Sequence, residues 1–359
     1  MKFIFTPAFL IILWSGFGVF AASPPGMVKT EFVFESAPFP SCHASTIVQT
    51  KKGTLIAAWF GGTAERNRDV GIWLARKVDD RWSAPVEVAT GVQADGTRYP
   101  CWNPVLFQPS AGDLMLFYKV GPGIGSGPDG WRGMLRTSSN DGETWSDAKR
   151  LPGKFQGPIK NKPIELADGS ILCGSSDEDL SPPPSWQIHF ERTVDQGKTW
   201  QYIDVPQPES GPPAIQPSIL RLGGDRLLAV GRTRSKKIFS TTSNDQGRTW
   251  SELKLLDLPN PNSGTDASTL RDGRHLLVYN HSTQGRTPLN LAESTDGEHW
   301  NAALVLESAP GEYSYPAIIQ TSDGFVHITY TWNRKRIKHA VIDPDKLELR
   351  PIRNGVWPR

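Results

Sequence analysis

Cysteine, excess charge of one sign and long apolar runs are all scarce in this sequence. Its 359 residues hold three cysteines, Cys42, Cys101 and Cys173. That is too few for a disulfide framework to carry a fold of this size. Lys and Arg number 39 against 37 Asp and Glu, a formal charge of +2. The balance argues against a general nucleic-acid binder, which carries a basic excess, though not against local basic patches. His43, His189, His275, His281, His299, His327 and His339 show no paired ligand spacing, so no metal is expected. No Gly-rich loop leads into a helical pattern, so no phosphate-bearing cofactor is expected either.

Past the N-terminus no stretch reaches the roughly 18 apolar residues that span a membrane. The exception runs from Phe3 to Phe20 behind Lys2 and ends Val19-Phe20-Ala21-Ala22-Ser23. A short positive start, an apolar middle and small residues at the end read as a secretory signal peptide, residues 1–21, cut after Ala21. Pro7, Ser15 and Gly16 interrupt the run and disfavour a lasting anchor, and no Cys marks a lipoprotein junction. The expectation is an exported chain, periplasmic or secreted, with residues 22–359 as one domain and no stable membrane span.

What is plentiful is Gly (34), Pro (30) and Trp (13), a composition of short strands and tight turns. A turn motif recurs at Ser139–Trp145, Thr193–Trp200, Ser243–Trp250 and Ser294–Trp300, with a worn copy at Val78–Trp82. The closing tryptophans step by 63, 55, 50 and 50 residues. Each copy reads as a hairpin turn in which Asp caps the backbone, Gly takes the left-handed angle and Trp covers the turn. A second repeat runs in register, a turn followed by an apolar strand, six times from Lys52-Gly53 to Asp323-Gly324. Six units of roughly 56 residues, each one small antiparallel sheet, predict an all-β, six-bladed β-propeller. Thr30–Glu35 has strand character and no blade of its own. It is expected to pair with the last strand, around Ile337–Val341, and close the ring.

Aligned on the apolar run before each turn, the six inner strands begin with His43, Asn103, Lys162, Gln216, Asp266 and Tyr315. The apolar part repeats while the leading position diverges. Six different polar groups on rigid strand ends suit a pocket for a polar ligand; the alternative is a hydrated channel. Arg66 and Asp69 lie in a loop after blade one's second strand. Arg98 precedes blade two, Arg232 ends the second strand of blade four and Arg286 follows that of blade five. Several arginines from successive blades suggest an anionic ligand, since guanidinium grips a carboxylate with two bonds. Cys42 and Cys101 flank neighbouring leading positions, which leaves a bridge between them open.

The Asp/Trp turns resemble the Asp-boxes of the sialidase (neuraminidase) superfamily, and the likeness covers nearly the whole chain. It implies the same six-bladed fold and an exo-acting glycoside hydrolase cleaving a terminal acidic sugar from a glycan. By that resemblance Arg232 and Arg286 hold the substrate carboxylate and Asp69 is the acid/base. Tyr315 is the nucleophile, with Tyr313 as the alternative. Two positions depart from the family: His43 stands where the first Arg belongs, and Gln216 where a Glu activates the tyrosine. Asp266 or His43 are then the candidates to take the tyrosine's proton. Arg66, Arg98, Asn103 and Lys162 complete the expected substrate-binding set. Two other readings share the residues: a lyase or non-sialic hydrolase on rhamnose- or uronate-capped glycans using His43, and a glycan-binding propeller without turnover.

Overall fold

The computed structural model describes Met1 and residues 23–125, 130–179 and 185–358. The expected signal peptide, the Ser181–Pro184 loop and the middle of the Gly121–Gly130 loop lie outside the described residues. Six antiparallel sheets stand around one axis. Blade one is Ser41–Gln49, Leu55–Gly62 and Gly71–Val78, with Arg81–Trp82 and Val86–Ala89 both pairing with the third strand. Blade two is Cys101–Phe107, Leu114–Val120, Arg132–Ser138 and Lys149–Arg150. Blade three is Ile164–Glu165, Ile171–Asp179, Ser185–Thr193 and Gln201–Ile203. Blade four is Ala214–Gly223, Arg226–Thr233, Lys237–Ser243 and Lys254–Pro259. Blade five is Asp266–Thr269, His275–Tyr279, Leu289–Ser294 and Asn301–Glu307, and Arg350–Pro351 adds an unforeseen fifth strand to its outer edge. Blade six is Tyr313–Gln320, Val326–Trp332 and Arg336–Ile342, completed by Met27–Phe32. That last pairing sets Thr30 against Ala340 and Glu31 against His339, as the sequence leads one to expect. No helix among the described residues is long and apolar enough to cross a membrane.

The Asp-boxes are local hydrogen-bond devices on the outer hairpins. Asp245 accepts from the backbone N–H of Arg248 and Thr249 and from the Thr249 hydroxyl. Trp250 then donates its indole N–H to the Gly247 carbonyl. Blade two departs from the expected assignment. There Asn140, not Asp141, accepts from the Thr144 N–H. Asp141 takes the left-handed angle (φ 66°) and turns to Thr54 and Arg76 of blade one. The core is a series of apolar wedges between blades; between blades three and four, for example, Phe190 stacks on Trp250 at 3.9 Å. Cys42, Cys101 and Cys173 are all buried and free, so the bridge left open above is not formed.

Candidate active site

The mouth of the axis is set by bulges that the sequence pattern does not reveal. Pairing between the first two strands skips at His43/Thr46, Trp102/Val105, Ile215/Ser218 and Ser314/Ala317. In each skip one residue sits at positive φ: Ala44 (59°), Asn103 (31°), Gln216 (59°) and Tyr315 (51°). A bulge turns its residue out of the ladder and re-aims the side chain, here toward the axis. The hairpin bonds Thr50 N–H to Thr54, Leu166 to Ser170, Leu270 to Arg274 and Thr321 to Phe325 fix the same register elsewhere. Six residues upstream of these turns stand Ala44, Lys160, Gly264 and Tyr315. The uppermost ring is therefore Ala44, Asn103, Lys160, Gln216, Gly264 and Tyr315.

This corrects the expected ring in three blades. His43 lies one residue away from the ring position. Lys162 and Asp266 lie two residues deeper, in a second layer. There Asp266 accepts from Lys162 Nζ at 3.0 Å, from the Ser218 hydroxyl and from the Ile318 N–H. Its carboxylate ties blades three, four, five and six together, and Lys162 is occupied by it and by the Ala267 carbonyl. Neither is free to meet a ligand or take a proton at the mouth.

Tyr315 is the centre of what does converge. Its ring lies over Gly264, where an added Cβ would stand 3.0 Å from it. The Arg232 and Arg286 guanidinium carbons lie 5.3 and 5.6 Å from the ring centroid, Lys160 Nζ 5.6 Å, and the His43 ring 4.2 Å. Arginines from blades four and five thus both flank the Tyr315 ring. Tyr313 does not join them; it is buried in the wedge between blades five and six against Trp332.

The four cations differ in how they are held. Arg232, 6% exposed, donates to the Asn262 carbonyl, and its Nε is buried without a partner. Among the described residues no carboxylate lies within ion-pair distance of it. Arg286 pairs with Glu312 at 2.8 Å. Glu312 also accepts from Arg334 at 2.8 Å, and Arg334 reaches on to Glu65. Burial would raise the Glu312 carboxyl, but Arg286 and Arg334 outweigh it and hold it below the ordinary range. Lys160 is fully buried and donates to Asn161 Oδ1 and to the carbonyls of Thr265 and Pro316 across the axis, at 2.6–2.9 Å. Burial pushes its ammonium down to about 7, with Asp266 opposing and Lys162 and Arg232 adding to the fall.

His43 is buried, with Nδ1 3.0 Å from the Thr331 hydroxyl. Burial first, then Arg334, Arg286, Lys160 and Arg232, keep it well below the usual imidazole range. It is a neutral imidazole at neutral pH and cannot serve there as a general acid. Asp69 lies in the exposed loop of blade one. Its carboxylate accepts from the Thr63 N–H and hydroxyl, and these bonds outweigh burial to lower its pKa. Arg98 donates to the Asp69 carbonyl and to Glu87, so it pins the loop and is not presented to a ligand. Arg66 is exposed at φ 78° on the same loop. Asn103 is buried at the blade-two bulge.

Lys160, Arg334 and Glu178 escaped the sequence reading. Glu178, at the mouth end of blade three's second strand, accepts from Gln216 Nε2 at 3.0 Å. Burial raises its pKa against the pull of Arg232, so a buried carboxyl stands beside Gln216. A Glu ending a second strand at the mouth was a signal available in Ser175–Asp179. Arg334 carried none, because it sits in the hairpin between the last two strands.

Residues 53–328 match the family described as BNR repeat-like domain, and the chain belongs to that family. An anhydrosialidase from Macrobdella decora is 24% identical over 233 residues, covering 56% of this chain and 30% of that protein. This chain therefore matches under a third of the curated relative's length. A protein of unknown function from Dyadobacter fermentans superposes with a TM-score of 0.72 at 17% identity, over 92% of this chain and all of that one. The NanB sialidase of Streptococcus pneumoniae gives 0.72 at 14% identity, over 89% of this chain and 71% of that one. The intramolecular trans-sialidase of Ruminococcus gnavus gives 0.68 at 14% identity, over 89% and 98%. The propeller is the sialidase fold.

Proposed function

We propose that the chain is an exported, exo-acting glycoside hydrolase of the sialidase type that removes a terminal acidic sugar, by default sialic acid, from a glycan. The observation that carries this reading is Arg232. It is a desolvated guanidinium with no carboxylate at ion-pair distance among the described residues, beside a tyrosine ring that Arg286 also flanks. A buried cation left unpaired is costly, and a substrate carboxylate would relieve it. Arg232 and Arg286 would hold that carboxylate and place the anomeric carbon against the Tyr315 hydroxyl.

A neutral phenol is a weak nucleophile and needs a proton acceptor. Neutral His43, at ring contact with Tyr315, is the better placed of the two candidates, since Asp266 is spent on the second layer. The resulting imidazolium would be disfavoured by four nearby cations, so a bound carboxylate would also ease that step. Asp69 would act as the acid only once a sugar displaced its Thr63 bonds, because its lowered pKa keeps it ionised otherwise. That carboxylate favours the second reading, a glycan-binding propeller without turnover.

Product analysis separates the possibilities. Incubation with 3′-sialyllactose is expected to release a free acidic sugar. A rhamnose–glucuronate glycan giving an unsaturated uronate would support the lyase alternative. Binding of either glycan without product would support the non-catalytic one.

A further inference from the structure

We infer that a second pocket on the same face, between blades two and three, binds an acidic saccharide unit, one bearing a carboxylate or sulfate. Cys101, Val120 and Arg132 are successive partners across blade two. Arg132 therefore lies at the sheet end where Asn103 opens onto the axis. A chain of ring contacts links the two places: Tyr315 to His43 at 4.2 Å, His43 to Phe60 at 5.6 Å, Phe60 to Trp102 at 6.2 Å and Trp102 to Trp131 at 5.8 Å.

The cavity measures about 500 Å³, within the roughly 300–1,000 Å³ range of small-molecule sites. Arg132, Arg150 and Lys154 line it together with Trp131, Phe155 and Gln156. Among the described residues neither Arg132 nor Arg150 stands within ion-pair distance of a carboxylate, and Lys154 caps the Tyr202 ring at 4.5 Å. Asp177 is the one acidic group in the lining, and the His189 ring nitrogen Nδ1 lies 3.7 Å from its carboxylate. Positive charge therefore predominates.

The floor is built and held. A Cβ at Gly133 would stand 2.8 Å from backbone atoms of Phe155 and Gln156, so only glycine lets this loop lie on the strand. Both oxygens of buried Glu191 accept from the Gln156 N–H. Gln156 Nε2 donates to the Trp131 carbonyl at 2.8 Å. The remaining side-chain polar atoms of these two residues, Gln156 Oε1 and Trp131 Nε1, are buried without hydrogen-bond partners among the described residues. Gln156 is 5% and Trp131 6% exposed. Unpaired buried donors and acceptors are rare in native structures and each calls for an explanation. One donor and one acceptor beside aromatic rings and free cations suit a sugar carrying hydroxyls and an anion, more than a bare anion.

The test separates this pocket from the site proposed around Tyr315 by working in Arg232→Ala protein, in which that site is expected to be impaired. Calorimetric titration uses glucuronate, N-acetylneuraminate, glucose and inorganic sulfate as probes. One acidic-sugar site is expected to remain in Arg232→Ala. It should weaken at least tenfold when Arg132→Ala and Arg150→Ala are added, with the melting temperature unchanged because both side chains reach the surface. Glucose should bind at least tenfold more weakly than the acidic sugars. No acidic-sugar binding in Arg232→Ala would overturn the inference, as would binding untouched by the two added changes. Sulfate binding as tightly as the sugars would reduce the pocket to an anion site and contradict the saccharide. None of these results depends on turnover, so the inference stands or falls apart from the hydrolase reading.

Discussion

Arg232 and Lys160 are two buried cations near one ring, and they answer differently to the same surroundings. The desolvation of the Arg232 guanidinium is offset by a ligand or not at all. Arg232→Ala is expected to weaken binding of an acidic sugar by about 2–5 kcal/mol with little loss of stability, measured by calorimetry against unfolding. Lys160 can shed its proton. Its folded pKa of about 7 lies below the unfolded value of roughly 10.4. Above pH 7 the unfolded chain holds a proton that the folded one has released, so stability rises with pH there. Buried Lys119, also near 7, contributes in the same direction. The raised thiols of Cys42 and Cys101 oppose it only above about pH 8.5. Lys160→Met should therefore flatten, without abolishing, the rise in melting temperature between pH 7 and 8.5. An unchanged slope would mean that Lys160 stays protonated.

At the scale of the strand, the bulges decide the site. The turn repeat, the six blades and the closing strand follow from periods that side chains must obey. So do Arg232 and Arg286, whose places are counted from strand ends. The apolar run does not mark how far the strand reaches above its turn, so alignment on that run put His43 one place out beside the blade-one bulge and Lys162 and Asp266 two places out in blades whose first pairing has no bulge. Blades two, four and six, where a Pro follows the bulged residue, were read in register. Gly264 shows what the shift conceals: the ring position of blade five has no side chain, and Tyr315 lies over it. Gly264→Ala puts a methyl 3.0 Å from that ring and should tilt the tyrosine. Turnover is expected to fall by roughly 10²-fold, the scale of a 1 Å misplacement, with unfolding little changed. Full turnover would show that the ring's position is not critical.

For the whole molecule, the closing strand holds the ring together through Glu31. Its carboxylate takes bonds from Lys77, His339 and the Trp82 indole and pairs with Lys29. Burial opposes its charge, yet the bonds from His339, Lys29 and Lys77 prevail and hold it well below the ordinary range. Such a group adds stability above its unfolded pKa of about 4.3 and loses it as pH falls further. His327, lowered to about 4 by burial and by His339 beside it, adds a loss that begins as pH drops through roughly 6.5. Glu31→Gln should lower stability at pH 7 by about 1–3 kcal/mol and flatten the acid limb of the melting curve below pH 4.5. The ring so closed exists, on this account, to hold Tyr315 between two arginines for chemistry on an acidic sugar. The most direct measurement is a paired one on wild type and Tyr315→Phe: calorimetric affinity for 3′-sialyllactose beside chromatographic detection of the sugar released. Release by wild type alone, with affinity equal in the two proteins, is the predicted result. Equal release by both, or binding of the glycan with no release by wild type, would contradict it.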